Sequence, residues 1–333
     1  MNHRKRIAKV RDFIDKRRLS AIIIKNPSNI FYLTGLLDIE GILIIDGKEM
    51  TFFVPALYYN EATDLASFKI EMVIYKRDAF IKFLRQYKRI GFIDTEITFS
   101  GHNALSRENT IVPLTDFIKD IRKIKEAPEI KNIEKALKIN RRVFKDIREL
   151  IENGEKETVV AGRIHYLIRK YGGRKEAFEP IIASGVASSY PHHTNRDIKI
   201  VKGKPVVVDA GVDYNGYKSD LTRTFLPGYP EKRLKDMYKI LEDVQRKVLD
   251  FIQVGMVGGE IHSYAVGLLK QQGMDRYFVH GLGHGVGIDV HELPVLAPGS
   301  KDVIEQGCVF SVEPGIYLPG VGGIRLEEMV LLT

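Results

Sequence analysis

The chain has 333 residues, 44% of them hydrophobic, enough for two domains with cores of their own. Its formal charge is +8, but lysines and arginines alternate with acids, as in KEAPEIKNIEKALKINRR, the pattern of solvated helix faces and not of a nucleic-acid surface. The charged start is no signal peptide, no apolar run approaches the ~18 residues of a membrane span, and the lone Cys308 excludes an internal disulfide and a thiolate zinc site, so a soluble, cytoplasmic chain without nucleic-acid or membrane partners is expected.

Residues 2–18 read as a helix, with Ile7, Val10, Ile14 and Leu19 near helical spacing. β-rich runs follow at 21–25, 29–35 and 41–55, the last being two apolar runs joined at Asp46-Gly47, a hairpin signal. Further strands are expected at 69–75 and 89–94, with helices at about 57–66, 78–87 and 114–121 between and after them. This is an α/β domain, and no GxGxxG or GxxxxGK loop follows any of its strands. Residues 122–152 form a long helical stretch opened by Pro128, with Ile130, Ile133, Ala136, Ile139, Val143 and Ile147 every three or four positions. From about 157 the pattern gives two helices, then β-rich segments full of His, Asp and Gly, then helices at 232–253 and 259–272, then more strands.

The chemistry lies in those β-rich segments. In VVVDAGVDYNGYKSDLTRTF, Asn215-Gly216 is a preferred two-residue hairpin turn. With that turn Tyr214 faces Tyr217, Gly211 faces Asp220, and Asp209 lies one diagonal step from Asp220 on the same face. Two carboxylates so close on a buried face need a cation. The segment CVFSVEPGIYLPGVGGIRLEEMVLL repeats the arrangement: with a turn centred near Gly320, Glu313 faces Glu327, and Arg325 shares a face with Glu327. Between the two hairpins, VHGLGHGVGIDVHE places His280, His284 and His291 in a glycine-rich stretch whose backbone can approach a ligand closely. Four carboxylates and one imidazole make an oxygen-rich ligand set suited to Mn²⁺, Co²⁺, Fe²⁺ or Zn²⁺. Four negative charges balance two divalent cations, which can share a hydroxide and clamp a transition state.

These segments, with EPGIY and GGIRLEE, resemble the pita-bread metallopeptidases, the family of methionine aminopeptidase, aminopeptidase P and prolidase. The resemblance covers nearly the whole chain. It implies a mixed α/β (α+β) architecture: a creatinase-like α/β domain at 1–122, then a pita-bread domain at 123–333 with a pseudo-twofold antiparallel sheet. It makes Asp209, Asp220, His284, Glu313 and Glu327 the metal ligands, with Asp220 and Glu327 bridging two ions, Mn²⁺ or Co²⁺ before Zn²⁺ or Fe²⁺. NPSNIFYLTG and the front domain resemble the proline-specific branch and creatinase, implying short Xaa-Pro peptides as substrates and a homodimer. In SYPHHTNRDIKI the branch carries an active-site histidine, matched by His192, with His193 incidental. A hydroxide between the ions would attack the carbonyl, Glu313 acting as general base, His280 and His291 positioning substrate and oxyanion, and Arg325 orienting a ligand carboxylate. One departure concerns substrate length: where many prolidases carry an arginine for a dipeptide's carboxylate, this chain has Val295. That favours an Xaa-Pro aminopeptidase over an Xaa-Pro dipeptidase. The chain stops at Thr333, soon after the last ligand, where relatives continue for about another strand, as a trimmed end would. The competing functions are a non-catalytic binding module of the same fold and a metallopeptidase without proline preference.

Overall fold

The computed structural model describes residues 1–332; Thr333, the expected end of the second domain, lies outside them. The fold has two units, Met1–Arg122 and a second that begins at Lys123. In the first, α1 (His3–Lys16) buries Ile7, Val10 and Ile14, and Asn2 caps it through its side chain. The strands β1 (Ala21–Ile24), β2 (Ile42–Asp46), β3 (Met50–Val54), β4 (Glu71–Ile74), β5 (Arg89–Ile93) and β6 (Thr110–Leu114) form one sheet in the order β4-β3-β2-β1-β5-β6. Strand β1 runs parallel to β5 and antiparallel to β2. Helices α2 (Pro27–Thr34), α3 (Tyr59–Leu65), α4 (Arg77–Leu84), α5 (Phe99–Leu105) and α6 (Phe117–Lys123) connect the strands. Ile23, Ile44, Phe53, Phe80, Ile90 and Phe92 form a core around the middle strands.

The β2–β3 hairpin is present, with Ile45 opposite Met50. Its turn residues are Gly47 and Lys48, because the Asp46 carboxylate accepts from the amides of Lys48 and Glu49 at 2.8 and 2.7 Å. The β-rich run expected at 29–35 is instead α2. Asn26 caps it by accepting from Ser28 N and Asn29 N, and Pro27 occupies its first turn, so local start signals override the β-branched and aromatic composition. Strand β6 contains Pro113, which reads against a strand; it is tolerated because β6 is the sheet's edge.

The second unit is built twice over from a helix pair followed by antiparallel strands. The first half has α7 (Ala127–Asn153) and α8 (Glu157–Lys170), then β7 (Lys175–Glu176), β8 (Ile181–Ser184), β9 (Val206–Ala210), β10 (Val212–Tyr214), β11 (Tyr217–Lys218) and β12 (Leu221–Phe225). The second half has α9 (Lys232–Phe251) and α10 (Gly258–Gln271), then β13 (Gly283–Gly285), β14 (Glu292–Leu296), β15 (Val309–Val312), β16 (Gly315–Leu318), β17 (Gly322–Arg325) and β18 (Glu328–Leu331). Only α8, not two helices, follows residue 157; the chain after it turns at Gly172-Gly173 into β7. Strand orders β12-β9-β8 and β14-β13-β15-β18 give each half its own antiparallel sheet. Helix α7 buries Ile133, Ala136, Val143 and Ile147 and grips the first hairpin: Asn140 Nδ2 donates to the Ala210 carbonyl at 2.6 Å, and Tyr217 Oη donates to Glu129 at 3.1 Å. On the other side Leu241, Val244, Ile261, Ala265, Phe310 and Ile324 form a buried apolar core under the second sheet.

Candidate metal centre

Each half contributes one hairpin of acids. In the first, Tyr214 pairs with Tyr217 around Asn215 and Gly216, whose φ of 52° and 83° are those of a hairpin turn. The same register continues into β9 and β12, where Leu221 faces Ala210 and Thr222 faces Asp209. Asp220 therefore lies diagonal to Asp209, as the turn predicts. In the second hairpin Val312 faces Glu328 and Gly315 faces Arg325, which sets Glu313 opposite Glu327.

The halves are joined where the acids sit. Glu327 N donates to the Thr222 carbonyl at 3.1 Å, and the Thr222 hydroxyl donates to Glu327 Oε2 at 2.8 Å. Arg325 forks across the same junction: its Nη2 donates to Asp209 Oδ2 at 2.8 Å, its Nη1 to the Tyr317 hydroxyl at 2.9 Å and the Pro191 carbonyl at 3.2 Å, and its Nε to Thr222 at 3.2 Å. His284 enters from β13. Glycines flank it because the backbone is wedged between neighbours: a Cβ would lie 2.0 Å from the Ser311 carbonyl at Gly283 and 2.1 Å from that of Leu293 at Gly285. Its Nδ1 donates to the Gly285 carbonyl at 3.1 Å, turning Nε2 toward Glu313 Oε1 at 3.3 Å and Asp220 Oδ2 at 3.7 Å.

Atoms of Asp220, His284 and Glu327 lie within 4.8 Å of one another. Asp209 Oδ1, Asp220 Oδ1 and Glu327 Oε1 are buried with no hydrogen-bond partner among the described residues. Orphaned, converging carboxylate oxygens beside an imidazole whose Nε2 is turned toward them are what divalent cations require, so the residues fit the metal. The electrostatics agree. Burial, then the charges of Glu327, Asp209 and Glu313, push Asp220 well above the usual carboxylate range; burial, then Glu313 and Asp209, does the same to Glu327. Burial also raises Asp209, against the pull of Arg325. Glu313 alone is lowered, burial being outweighed by the hydrogen bond from His284, whose own pKa rises against burial because of Glu313. Without a cation this site disfavours the ionised state of Asp209, Asp220 and Glu327.

The metal-facing groups open onto a cavity of about 630 Å³ lined also by Phe178, Ile181, Pro191, Val290, Val295 and Ala297. His192, His280 and His291 all border it. Burial holds His280 below the usual histidine range. Its Nδ1 lies 2.7 Å from the Gly281 carbonyl and its Nε2 2.9 Å from the Tyr317 hydroxyl, so both ring nitrogens are engaged. His291 sits edge-on to His284 with ring centroids 4.2 Å apart, and burial followed by the charge of His284 lowers its pKa. Tyr317, pushed up to about 12 chiefly by burial, keeps its proton.

His193 does not line the cavity. It is buried, with Nε2 2.8 Å from Glu157. Thr222, Tyr317 and Glu157 do not stand out in the sequence. Thr222 had a signal, being two residues beyond Asp220 on the same strand face; Glu157, at the start of a helix far from any motif, had none.

No helix among the described residues is long and apolar enough to cross a membrane. Residues 6–124 match the creatinase/prolidase N-terminal domain and residues 131–333 match metallopeptidase family M24. The chain is 36% identical over 332 residues to the Xaa-Pro dipeptidase of Pyrococcus horikoshii, covering 98% of this chain and 94% of that one. Among solved structures it resembles the prolidase from Pyrococcus furiosus, at 35% identity and a TM-score of 0.91 with 97% and 96% of the chains covered. It also resembles the X-Pro aminopeptidase from Thermotoga maritima, at 28% identity and a TM-score of 0.88 with 98% and 95% covered. With both its domains and its acid-paired hairpins accounted for, the chain belongs to metallopeptidase family M24, in the branch that carries a creatinase/prolidase N-terminal domain.

Proposed function

We propose that the protein hydrolyses the bond preceding proline at the N-terminus of short peptides, with two divalent cations held by Asp209, Asp220, His284, Glu313 and Glu327. The observation that carries this reading is the set of partnerless buried oxygens on Asp209, Asp220 and Glu327, at the floor of a cavity with apolar walls. The Xaa-Pro bond is tertiary and offers no N–H to grip, so recognition falls to shape and to the carbonyl. Phe178, Ile181, Pro191 and Val290 supply an apolar surface for the pyrrolidine ring. When bound, the cations supply Lewis acidity and a nucleophilic water at neutral pH. The oxygen-rich set with a single imidazole suits Mn²⁺, Co²⁺, Fe²⁺ or Zn²⁺, and the family resemblance puts Mn²⁺ or Co²⁺ first.

Glu313, the carboxylate held lowest of the four, accepts the proton of the attacking water and passes it to the leaving proline nitrogen. Arg325 fixes Asp209 and Tyr317 together, and Tyr317 fixes His280. With both its nitrogens engaged, His280 positions the site, which leaves His291 to stabilise the developing oxyanion and His192 to hold the proline residue.

Substrates extending past proline fit better than dipeptides. Among the described residues Arg325 is the only lysine or arginine lining the cavity, and its donors are committed to Asp209, Tyr317, Pro191 and Thr222. A dipeptide's carboxylate would find Val295 and, among the described residues, no uncommitted lysine or arginine. The resemblance extends this reading to a cytoplasmic homodimer, which fractionation and light scattering check. The substrate reading is tested with chelated protein reloaded with Mn²⁺ or Co²⁺. Xaa-Pro-Yaa should be cut at the bond before proline, Xaa-Pro more slowly, and neither after chelation; faster cleavage of the dipeptide overturns the length preference, and cleavage of neither peptide overturns the enzyme reading.

A further inference from the structure

Between β8 and β9 the chain leaves the sheet, turns beside the acids and returns. At the tip of this excursion Gly323 N donates to Ser188 Oγ at 2.7 Å, and Arg325 donates to the Pro191 carbonyl at 3.2 Å. Pro191 and His192 then face the cavity. At its base the excursion is tied by Asn195, which accepts from Ile182 N at 2.8 Å and donates to the Pro180 carbonyl at 2.7 Å, and by one buried carboxylate. Glu157, the first residue of α8, is fully buried. Its Oε1 accepts from Ser184 N at 2.9 Å and Ser184 Oγ at 2.8 Å. Its Oε2 accepts from Arg196 N at 2.9 Å and lies 2.8 Å from His193 Nε2.

These bonds tie the residue where the excursion leaves the sheet to residues on its return, and they fix the immediate neighbour of His192. The role demands a carboxylate. Both oxygens face a backbone N–H, so a glutamine in either orientation sets its NH₂ group against one of them. Glu157 does not line the cavity and touches no reacting group. Its reach to the chemistry runs through His193 to His192.

We propose that Glu157, with His193, is a positioning residue: it fixes Pro191 and His192 as the wall against which the substrate's proline residue is held. The proposal rests on the Xaa-Pro reading above. Buried carboxylates that merely support the fold lower stability without a specific kinetic signature, and this distinguishes the two roles.

The test is steady-state kinetics of the full chain loaded with Mn²⁺ on an Xaa-Pro-Yaa peptide. The variants are Glu157→Gln, His192→Ala and the two combined. Each single variant should raise KM about tenfold with kcat within about threefold of wild type. The double variant should be no worse than His192→Ala alone, because Glu157 acts through His192. If Glu157→Gln fails to fold, His193→Leu is read in the same way, and His193→Gln, which restores a donor to Glu157, should return KM toward wild type. Multiplying effects in the double variant, or an unchanged KM in both Glu157→Gln and His193→Leu, overturns the proposal. Wild type inactive on every Xaa-Pro peptide is a different result: it removes the substrate reading itself and this inference with it.

Discussion

Thr222 stands opposite Asp209 in the sheet register, and its hydroxyl donates to Glu327 at 2.8 Å, so one side chain ties the first hairpin to an acid of the second. It also accepts from Arg325 Nε at 3.2 Å. Thr222→Val keeps the shape and the β-branch but leaves Glu327 Oε2 without its donor. Calorimetric titration with Mn²⁺ should show affinity falling about 10–100-fold while the fold persists, and Thr222→Ser should stay near wild type.

The acids repel one another when no cation is present, and burial with the charges of Glu327, Asp209 and Glu313 drives Asp220 well above its ordinary pKa. In chelated protein, Asp220→Asn should therefore raise the melting temperature. In wild type, Mn²⁺ at a hundredfold excess over its Kd should add about 2.7 kcal/mol of stability, and the variant should lose most of that gain. A thermal melt with and without EDTA reads both effects. A variant less stable than wild type in EDTA would mean that the acids are held apart by something other than a cation.

Asp213 carries the pH dependence of the first hairpin. Burial acts to raise its carboxyl, but the hydrogen bond from Arg174 at 2.6 Å and the charge of Lys218 at 2.6 Å outweigh it and hold the pKa below the usual range. A depressed folded value makes the stabilisation fully present above the unfolded value of about 3.9 and lost as pH falls through the folded one. Urea unfolding should show wild type more stable than Asp213→Asn by about 3 kcal/mol at pH 7, the gap closing below about pH 4.

Val295 is the residue on which the proposed substrate length turns. It lies opposite His284 in the β13–β14 pairing and lines the cavity. Val295→Arg would offer a dipeptide's carboxylate a bidentate partner. Its kcat/KM on Xaa-Pro relative to Xaa-Pro-Yaa should rise about tenfold or more, a change of at least about 1.4 kcal/mol in discrimination. An unchanged ratio would place the terminal carboxylate elsewhere.

Both acid pairs are legible in the sequence because turns fix register. Asn215-Gly216 accepts only one pairing of its flanks, and the turn centred on Gly320 sets Leu318 opposite Gly322, so Asp209, Asp220, Glu313 and Glu327 can be placed by counting. His284 stands out through its glycines, and α7 through its apolar spacing. What stays hidden is non-local or contradicted by composition. Residues 29–34 carry strand-like side chains in a segment that its cap makes helical. Glu157 meets partners 27 and 39 positions along the chain, and no spacing rule connects them. The Thr222 hydroxyl shows its purpose only once the two hairpins meet.

The most direct test of the central claim is a matched pair of peptides, Xaa-Pro-Yaa and Xaa-Ala-Yaa, offered to metal-loaded wild type and to Glu313→Gln. The account predicts cleavage of the proline peptide alone, abolished by chelation and reduced about 10²–10⁴-fold by Glu313→Gln, with the fold unchanged. Equal cleavage of the alanine peptide would contradict the proline preference, and activity that survives both chelation and Glu313→Gln would contradict the metal centre.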